Sequence, residues 1–336
     1  MKSSSTIFDP ADGVFVFLPG NPIYMSKNSP LVYSLAVASV ILFATISTQS
    51  IAQVVKIDST SHWRKAFKAG INLNQAAFSS NWKAGGVNSF GFNAFLNIKA
   101  NYKKDKISWD NEIDLLYGMV NNSGQGYRKT LDRIFVDTKV GHSISKNWDL
   151  FVAANAQSQF AKGFKYSKDV NGIEQEQLVS ESFAPTFVTA SLGFEYHPVE
   201  YFKVRLSPFA PRVTFLPHND GRYAAVDSIR PYGVLVGSAT RFEWLAFQML
   251  AEFNKDIAKN VNLKVRYVLF ANYETFEAKL IDHRVDFNLT AKVNKYVNVS
   301  IGSIFLYDYD QDASAQYSQA FSLGVQYTFQ NFEDKK

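Results

Sequence analysis

The residues with most scope for chemistry are charged side chains at every second position of several otherwise apolar segments. Asp110, Glu112 and Asp114 form one acidic row, and Lys264 and Arg266 belong to a basic one. Successive side chains point to opposite faces of a β-strand, so residues two apart share a face. The spacing therefore predicts strands with one charged face and one apolar face, and the charged faces are the candidate sites for binding or ion pairing.

A hydrolytic site is only weakly indicated. The five histidines are His62, His142, His197, His218 and His283, and none stands in a metal-ligand or nucleophile spacing. By strand parity, His283 belongs to an apolar row and lies beside Asp282 and Arg284, a position from which a histidine could act on a lipid substrate. No serine motif accompanies it, so we predict that the protein is not an enzyme.

Metal, cofactor and nucleic-acid sites are also weakly indicated. Asp308, Asp310 and Asp312 resemble the start of a calcium loop. Ala313 and Gln319 stand where an EF-hand requires a glycine and an acid, so we predict no such site. The lysines and arginines form no basic run, which argues against nucleic acid as a partner despite a net charge of +5. We predict no metal and no cofactor.

The elements that must position these charges are strands, because apolar positions alternate along most of the chain. Phe90, Phe92, Ala94 and Leu96 share one parity, and no window shows a comparable helical stripe. We predict about twelve strands, at residues 64–77, 90–102, 107–120, 132–144, 148–161, 186–197, 201–208, 242–254, 261–273, 281–293, 297–308 and 317–329. Short connections then alternate with long ones, the long ones being 78–89, 121–131, 162–185, 209–241, 274–280 and 309–316.

This layout and the composition predict an all-β fold, a single transmembrane antiparallel β-barrel of about twelve strands. The 336 residues include no cysteine, only 19% charged residues and 15% aromatic residues, and aromatics cluster at strand ends as interfacial girdles would. An even strand number with tight turns at one end and longer loops at the other is typical of outer-membrane barrels. The alternative is a secreted β-sandwich, which explains poorly why long apolar faces recur on most strands.

The N-terminal region has the pattern of an export signal. Lys27 precedes an apolar stretch at 31–46, and the small residues Ser50 and Ala52 follow as a cleavage site. We predict cleavage after Ala52 and a true start at Met25; a retained anchor is the alternative. The predicted organisation is a signal-peptide region at 1–52, a periplasmic tail at 53–63, a barrel at 64–329 and a C-terminal tail at 330–336.

The last predicted strand carries a candidate assembly signal. Gly324 precedes the alternating aromatic residues Tyr327 and Phe329. A closing strand that ends in an aromatic resembles the terminal signal of outer-membrane barrels, although seven further residues follow Phe329. The expected partners are therefore outer-membrane lipid and the barrel-assembly machinery.

Several local strings resemble a family of Bacteroidota outer-membrane proteins known only as a domain of unknown function. The strings are WKAGGVNS at 82–89, WDN at 109–111, YG at 117–118, KTLDR at 129–133, QSQF at 157–160, SP at 207–208 and NY at 272–273. The resemblance covers residues 63 to 329. It implies the same envelope location and barrel fold, and it implies no activity.

If the apolar parity faces lipid, the charged parity lines the lumen. The candidate lumen-lining residues are Asp110, Glu112, Asp114, Arg133, Asp137, Lys139, Lys264, Arg266, Asp282, Arg284 and Asp286, with Lys203 and Arg205 on the same parity. Rows of opposite sign fall on consecutive strands, so they can pair with each other or select solutes by charge. A twelve-stranded lumen lies between the filled and the open size classes, and both states remain open.

The function predicted from the sequence is a small-solute channel or transport component of the outer membrane. The alternative is a non-conducting envelope scaffold or a subunit of a larger outer-membrane assembly, and a hydrolase ranks last. The possible further partners are a small solute or an envelope protein. The long segments 162–185 and 209–241, which include Lys165, Arg212 and Tyr232, are the candidate ligand-binding loops.

Overall fold

The computed structural model describes residues 13–16, 23–26, 62–76, 83, 87–225, 227–294 and 296–331. The chain divides into two units, residues 1–54 and residues 55–336. The described part of the first unit is an antiparallel pair of short strands, β1 (Gly13–Val16) and β2 (Ile23–Ser26). The predicted apolar signal segment at 31–46 and the cleavage site after residue 52 lie outside the described residues, so the export signal stays a prediction.

The described part of the second unit consists of strands and two short 3₁₀ turns. The strands are β3 (Trp63–Ala76), β4 (Ser89–Lys104), β5 (Ile107–Asn122), β6 (Gly126–Ser143), β7 (Trp148–Ser158), β8 (Gly163–Lys168), β9 (Glu174–Ser180), β10 (Thr186–Val199), β11 (Phe202–Phe209), β12 (Arg212–Phe215), β13 (Thr240–Glu243), β14 (Ala246–Ala258), β15 (Val261–Asn272), β16 (Asp282–Lys292), β17 (Val297–Tyr307) and β18 (Gln316–Gln330). The 3₁₀ turns are Pro231–Gly233 and Ala278–Leu280. In this described part, no helix is long and apolar enough to cross a membrane.

Twelve of these strands close into one antiparallel barrel, which confirms the predicted fold class. Their order around the wall is β3, β4, β5, β6, β7, β10, β11, β14, β15, β16, β17 and β18. The last strand pairs with the first, from Leu323 opposite Leu73 to Gln330 opposite Ala66. Because the ring is closed, none of the twelve wall strands is left as a free edge strand, and every ladder can satisfy its backbone groups in lipid.

Two strands of the wall, β11 and β14, are continued towards the loop end by the short strands β12 and β13, each after a local interruption. The first part of β10 pairs with β12 and its second part pairs with β11, so β11 and β12 act as one long strand interrupted near residue 210. In the same way, β13 pairs with β12 and leads into β14. All of β12 and the first two residues of β13 lie inside the segment 209–241 that the sequence pattern assigned to a loop.

The alternation of β18 shows how the wall is built. Leu323, Val325 and Tyr327 are about half exposed on the outside, whereas Ser322 and Gln326, of the alternate parity, are buried inside. The same order, apolar outside and polar inside, is what a transmembrane barrel with a polar lumen requires. The predicted parity therefore gives the correct two faces of the wall.

Aromatic side chains contact one another at both ends of the wall. Near the short turns, Trp63 lies 5.3 Å from Tyr102 and 5.6 Å from Trp109 between ring centroids. Near the loops, the rings of Phe305 and Tyr317 lie 4.6 Å apart. Aromatic residues at these heights are the expected anchors at the two membrane interfaces.

The predicted long connection at 121–131 is wrong. β5 continues to Asn122 and β6 begins at Gly126, so only residues 123–125 join them. A bulge in the β5–β6 pairing falls between Gly118 and Met119. An extra residue at a bulge shifts the side-chain parity, and this shift hides the continuation of the strand in a simple alternation count.

The connections at the loop end fold over the barrel mouth. We call residues 159–185, together with 216–225 and 227–239, the loop cap. It contains the β8–β9 hairpin and a small apolar cluster formed by the buried residues Ala184, Leu216, Tyr223 and Val234. The candidate ligand-binding loops thus have an internal core that holds them in a defined position.

Candidate functional site in the barrel lumen

The inward-facing parity of the wall strands collects the charged side chains in one belt. On β5, Asp110, Glu112 and Asp114 alternate with outward-facing residues such as Trp109 and Ile113. We call the inward set the ionic belt; its members are Lys99, Asp110, Glu112, Asp114, Arg133, Asp137, Lys139, Glu195, Lys203, Arg205, Glu252, Lys264, Arg266, Arg284 and Asp286. The outward residues face lipid, so these charges can find partners only inside the lumen.

One ion pair of the belt spans the full width of the barrel. Arg266 of β15 donates to Glu112 of β5 at 2.6 Å, and these strands lie six places apart around the ring in either direction. The same guanidinium contacts Glu252 at 2.5 Å. Lys264 and Lys99 approach Glu112 at 3.5 and 3.6 Å. Side chains from opposite walls therefore meet in the middle of the lumen.

A second crossing links Arg133 of β6 to Asp286 of β16, again six places apart. This contact is looser, at 3.7 Å, and the same Arg133 nitrogen lies 3.5 Å from Asp114. Asp286 makes a closer pair with Arg284 on its own strand, at 2.8 Å. The belt thus crosses the lumen at two places, with one tight contact and one loose one.

The remaining belt residues pair along one side of the wall. Lys139 contacts Glu195 at 2.6 Å and Asp110 at 3.0 Å. Arg205 donates to Asp137 at 2.9 Å and to Glu195 at 3.0 Å. Lys139 and Arg205 are almost fully buried, so each cation is withdrawn from water and satisfied by carboxylates instead.

Asp282, the remaining candidate, lies above the belt at the barrel mouth. Its carboxylate accepts from Arg212 at 2.8 Å. Next to it, Arg241 contacts Asp310 at 2.6 Å and Glu243 at 3.2 Å. This second group of charges joins the wall to the connection after β17.

Sequence reasoning missed three belt members and one pairing pattern. Glu195, Glu252 and Lys99 were not chosen, although each lies between two apolar residues of the outward parity and could have been found by the same rule. Pairing was expected between consecutive strands, as Asp110 and Lys139 do pair. Glu112 instead reaches Arg266 across the lumen, which no local pattern can indicate because it depends on barrel closure.

Hydrogen bonds hold the segments of the loop cap together. The buried Asn219 amide donates to the carbonyl oxygens of Val234, Leu235 and Ser238, at 3.0 to 3.2 Å. The Tyr223 hydroxyl donates to Glu181 at 2.6 Å. Burial and this carboxylate raise the pKa of Tyr223, so the hydroxyl stays a donor at any physiological pH.

A cavity of about 670 Å³ lies between the loop cap and the belt. Its lining includes Arg133 and Arg284 from the wall, and Phe164, Lys165 and Tyr232 from the cap. The Tyr232 hydroxyl donates to the carbonyl oxygen of Val179, which holds this ring over the mouth. The chamber is therefore bounded by charged groups on the barrel side and by the cap on the outer side.

The other sequence candidates are placed as follows. His283 accepts or donates a hydrogen bond at 2.8 Å through Nδ1 to the hydroxyl of Tyr267, and no serine hydrogen-bonds to it within the described chain. Gly324 faces inward opposite Asn72, where an added Cβ would overlap the Asn72 side chain. Tyr327 and Phe329 face outward. No group of three or more metal-binding side chains occurs among the residues that the structure describes.

Comparison with known families gives one match. A model described as Protein of unknown function (DUF3078) matches residues 73–164. The match supports the resemblance to a family of unknown function, and the Bacteroidota origin stays a prediction. No curated protein matches the sequence.

Several solved structures are similar in fold to this chain. An outer membrane channel from Pseudomonas putida F1 is 10% identical, with 82% of this chain and 97% of that chain covered and a TM-score of 0.38. The NanC porin is 7% identical, with 78% and 98% covered and a TM-score of 0.36. The translocator domain of the autotransporter NalP from Neisseria meningitidis is 10% identical, with 90% and 99% covered and a TM-score of 0.33.

Proposed function

We propose that the protein is a small-solute channel or transport component of the outer membrane whose ionic belt closes the lumen in the state described. The observation that supports this proposal most is the charged lining of the lumen, whose side chains form ion pairs across it. A cavity at the loop end lies next to these pairs. A barrel built only as a wall could fill its interior with apolar side chains. Charged groups instead keep a polar route that opens when the pairs separate.

The outer membrane is the location that the fold supports. A closed barrel with an apolar exterior, aromatic residues at both rims and a polar interior is the spanning structure of that membrane. The signal peptide predicted from the sequence agrees with export.

The second candidate function is a non-conducting scaffold or a subunit of a larger assembly. It is favoured by the tight Arg266–Glu112 crossing, because a buried pair with additional partners is costly to break. A hydrolase has weaker support, since the hydrogen-bond partner of His283 is a tyrosine hydroxyl rather than a nucleophile.

Liposome swelling distinguishes channel from scaffold. Purified protein is reconstituted into vesicles, and the uptake of small sugars and small organic anions is followed by light scattering. Because the channel proposal has the ion pairs of the belt separate in a fraction of the molecules, it expects faster swelling than in protein-free vesicles, with a cut-off that excludes larger sugars. Swelling at the protein-free rate for every solute, with a barrel that still migrates as a folded, heat-modifiable band, would overturn the channel and favour the scaffold.

A further inference from the structure

The cavity between the loop cap and the ionic belt contains a buried cation with incomplete pairing. Arg133 is only 9% exposed, and its Nε has no hydrogen-bond partner. Its nearest carboxylates, Asp114 and Asp286, lie at 3.5 and 3.7 Å, beyond the normal N–H···O distance of a charged pair. Other buried arginines of the belt, such as Arg205 and Arg266, have contacts of 3.0 Å or less. Arg133 therefore keeps capacity to bind an anion.

The remaining charged groups of the cavity leave an excess of positive charge. Its lining contains Arg133, Arg284 and Lys165 against Asp132 and Asp312, and Arg284 is already paired with Asp286 at 2.8 Å. The Asp132 carboxylate is already occupied, since it binds Lys129 and accepts the N–H groups of residues 160 and 161. Lys165, on the hairpin of the loop cap, has no ion pair in the described chain. A singly charged anion would complete this set.

The neutral part of the lining suits a ligand that also carries hydroxyl groups. The side-chain amides of Gln157, Gln177 and Gln316 line the cavity and make no hydrogen bond within the described residues. Amides both donate and accept, as hydroxyl groups do. Phe164 and Phe187 supply apolar surface against which the C–H faces of a ligand can pack. An inorganic anion would use the cations and leave these groups without partners.

We propose that this cavity binds a small hydroxylated monocarboxylate, a sugar acid in chemical class. The carboxylate lies against Arg133, with Lys165 at the outer side, and the hydroxyl groups pair with the glutamine amides. The proposal rests on the proposed function in that the ligand is the solute admitted from the loop end. This proposal assigns a substrate class to the cavity. A solute that enters from the loop end then reaches the loose Arg133–Asp286 contact before the tight Arg266–Glu112 one.

Titration calorimetry on detergent-solubilised full-length protein tests the site without a membrane. The ligand is gluconate, and the matched control is sorbitol, which has the same carbon number and no charge. Gluconate should bind at least about tenfold more tightly than sorbitol, the ratio expected when one charged hydrogen bond is lost. Equal affinity for the two, or no gluconate binding, would overturn the proposal.

Variants locate the site. Arg133→Gln should weaken gluconate binding by about tenfold or more, because it removes the buried cation. Lys165→Gln, at an exposed position that leaves folding intact, should weaken it by a smaller factor, and Lys168→Gln on the same hairpin should leave it unchanged. Heat-modifiable gel migration checks that each variant is folded. Full gluconate affinity in folded Lys165→Gln and Arg133→Gln would overturn the site, and if Arg133→Gln does not fold, Lys165→Gln alone decides.

The two proposals fail in different ways. If the protein binds gluconate in detergent but admits no solute into vesicles, the binding-site proposal stands and the channel proposal is overturned. If the protein admits solutes but binds no gluconate, the channel proposal stands and the binding-site proposal is overturned.

Discussion

At the residue scale, the lumen is governed by the cost of burying charge. Arg205 and Lys139 are nearly inaccessible, and each is bound by two carboxylates. Removing one partner of such a set leaves an uncompensated charge, which costs more than the pair itself contributes. The belt is therefore stable only as a complete set.

Asp137→Asn tests this completeness. The substitution removes the carboxylate that accepts from Arg205 at 2.9 and 3.1 Å, and we expect a loss of about 3 kcal/mol in the free energy of unfolding. Urea unfolding in lipid vesicles, followed by tryptophan fluorescence, measures it. Asp105→Asn, at an exposed turn with positive φ that asparagine tolerates, is the matched control and should change little. A change at Asp137 no larger than at Asp105 would contradict the role given to the belt.

Asp308, in the connection after β17, gives a pH-dependent prediction. Its pKa is raised because burial disfavours the charged carboxylate and Asp310 repels it. In the pH range between its ordinary pKa and the raised one, the folded state holds a proton that the unfolded state has released. The stability that Asp308 contributes is therefore complete below this range and falls as the pH rises through it.

Asp308→Asn should remove this loss of stability at higher pH. The amide oxygen can still accept the N–H of Asp310, so the variant should melt above the wild type at pH 7 and together with it at pH 3. Melting is followed by heat-modifiable migration across pH, with Asp312→Asn in the same connection as control. A wild type as stable as the variant at pH 7 would show that burial of Asp308 has no such cost.

At the element scale, the alternation of side chains explains why the wall was predictable and the cap was not. The polar and apolar parities of strands such as β18 follow from local sequence alone. The predicted strands of the β5–β6 hairpin ended too early because a bulge shifts the side-chain parity there. β12 and β13 are too short and too interrupted to be recognised by alternation. The loop cap depends on contacts such as Tyr223 with Glu181, 42 residues apart, which no spacing rule reveals.

Asn219 joins two segments of the loop cap through its side-chain amide. Asn219→Ala removes the amide that satisfies three carbonyl oxygens, each of which is then left without this donor. Hydrogen exchange of the amides at 229–238 should accelerate by about tenfold or more, the effect of losing at least one buried hydrogen bond. Asn171→Ala, at the exposed hairpin tip, is the control. Unchanged exchange at 229–238 would mean that other contacts hold the cap.

At the scale of the whole molecule, barrel closure decides what the charges do. Closure brings β5 and β15 face to face, so that Glu112 and Arg266 meet although they are 154 residues apart. The sequence predicts the inward face and the approximate strand number, and from these the presence of a charged lumen. It does not predict whether opposite rows touch, because that depends on barrel width and on how far each side chain extends.

In the channel proposal, the ionic belt closes a lumen that is otherwise able to conduct. The most direct test is single-channel conductance in planar bilayers, comparing the wild type with the double variant Glu112→Ala/Arg266→Ala. The double variant removes one anion and one cation together, so the net charge of the belt is unchanged, and Glu252 keeps Lys203 as a partner at 2.7 Å. Arg128→Ala/Glu174→Ala, which removes an ion pair joining β6 to the cap hairpin, is the matched control.

We expect small or rare conductance steps for the wild type and for the control pair, and larger, longer-lived steps for the belt variant. Equal conductance in all three folded proteins would contradict the claim that these crossings close the lumen. Absence of any step in the belt variant, under every voltage applied, would contradict the claim that the barrel conducts at all.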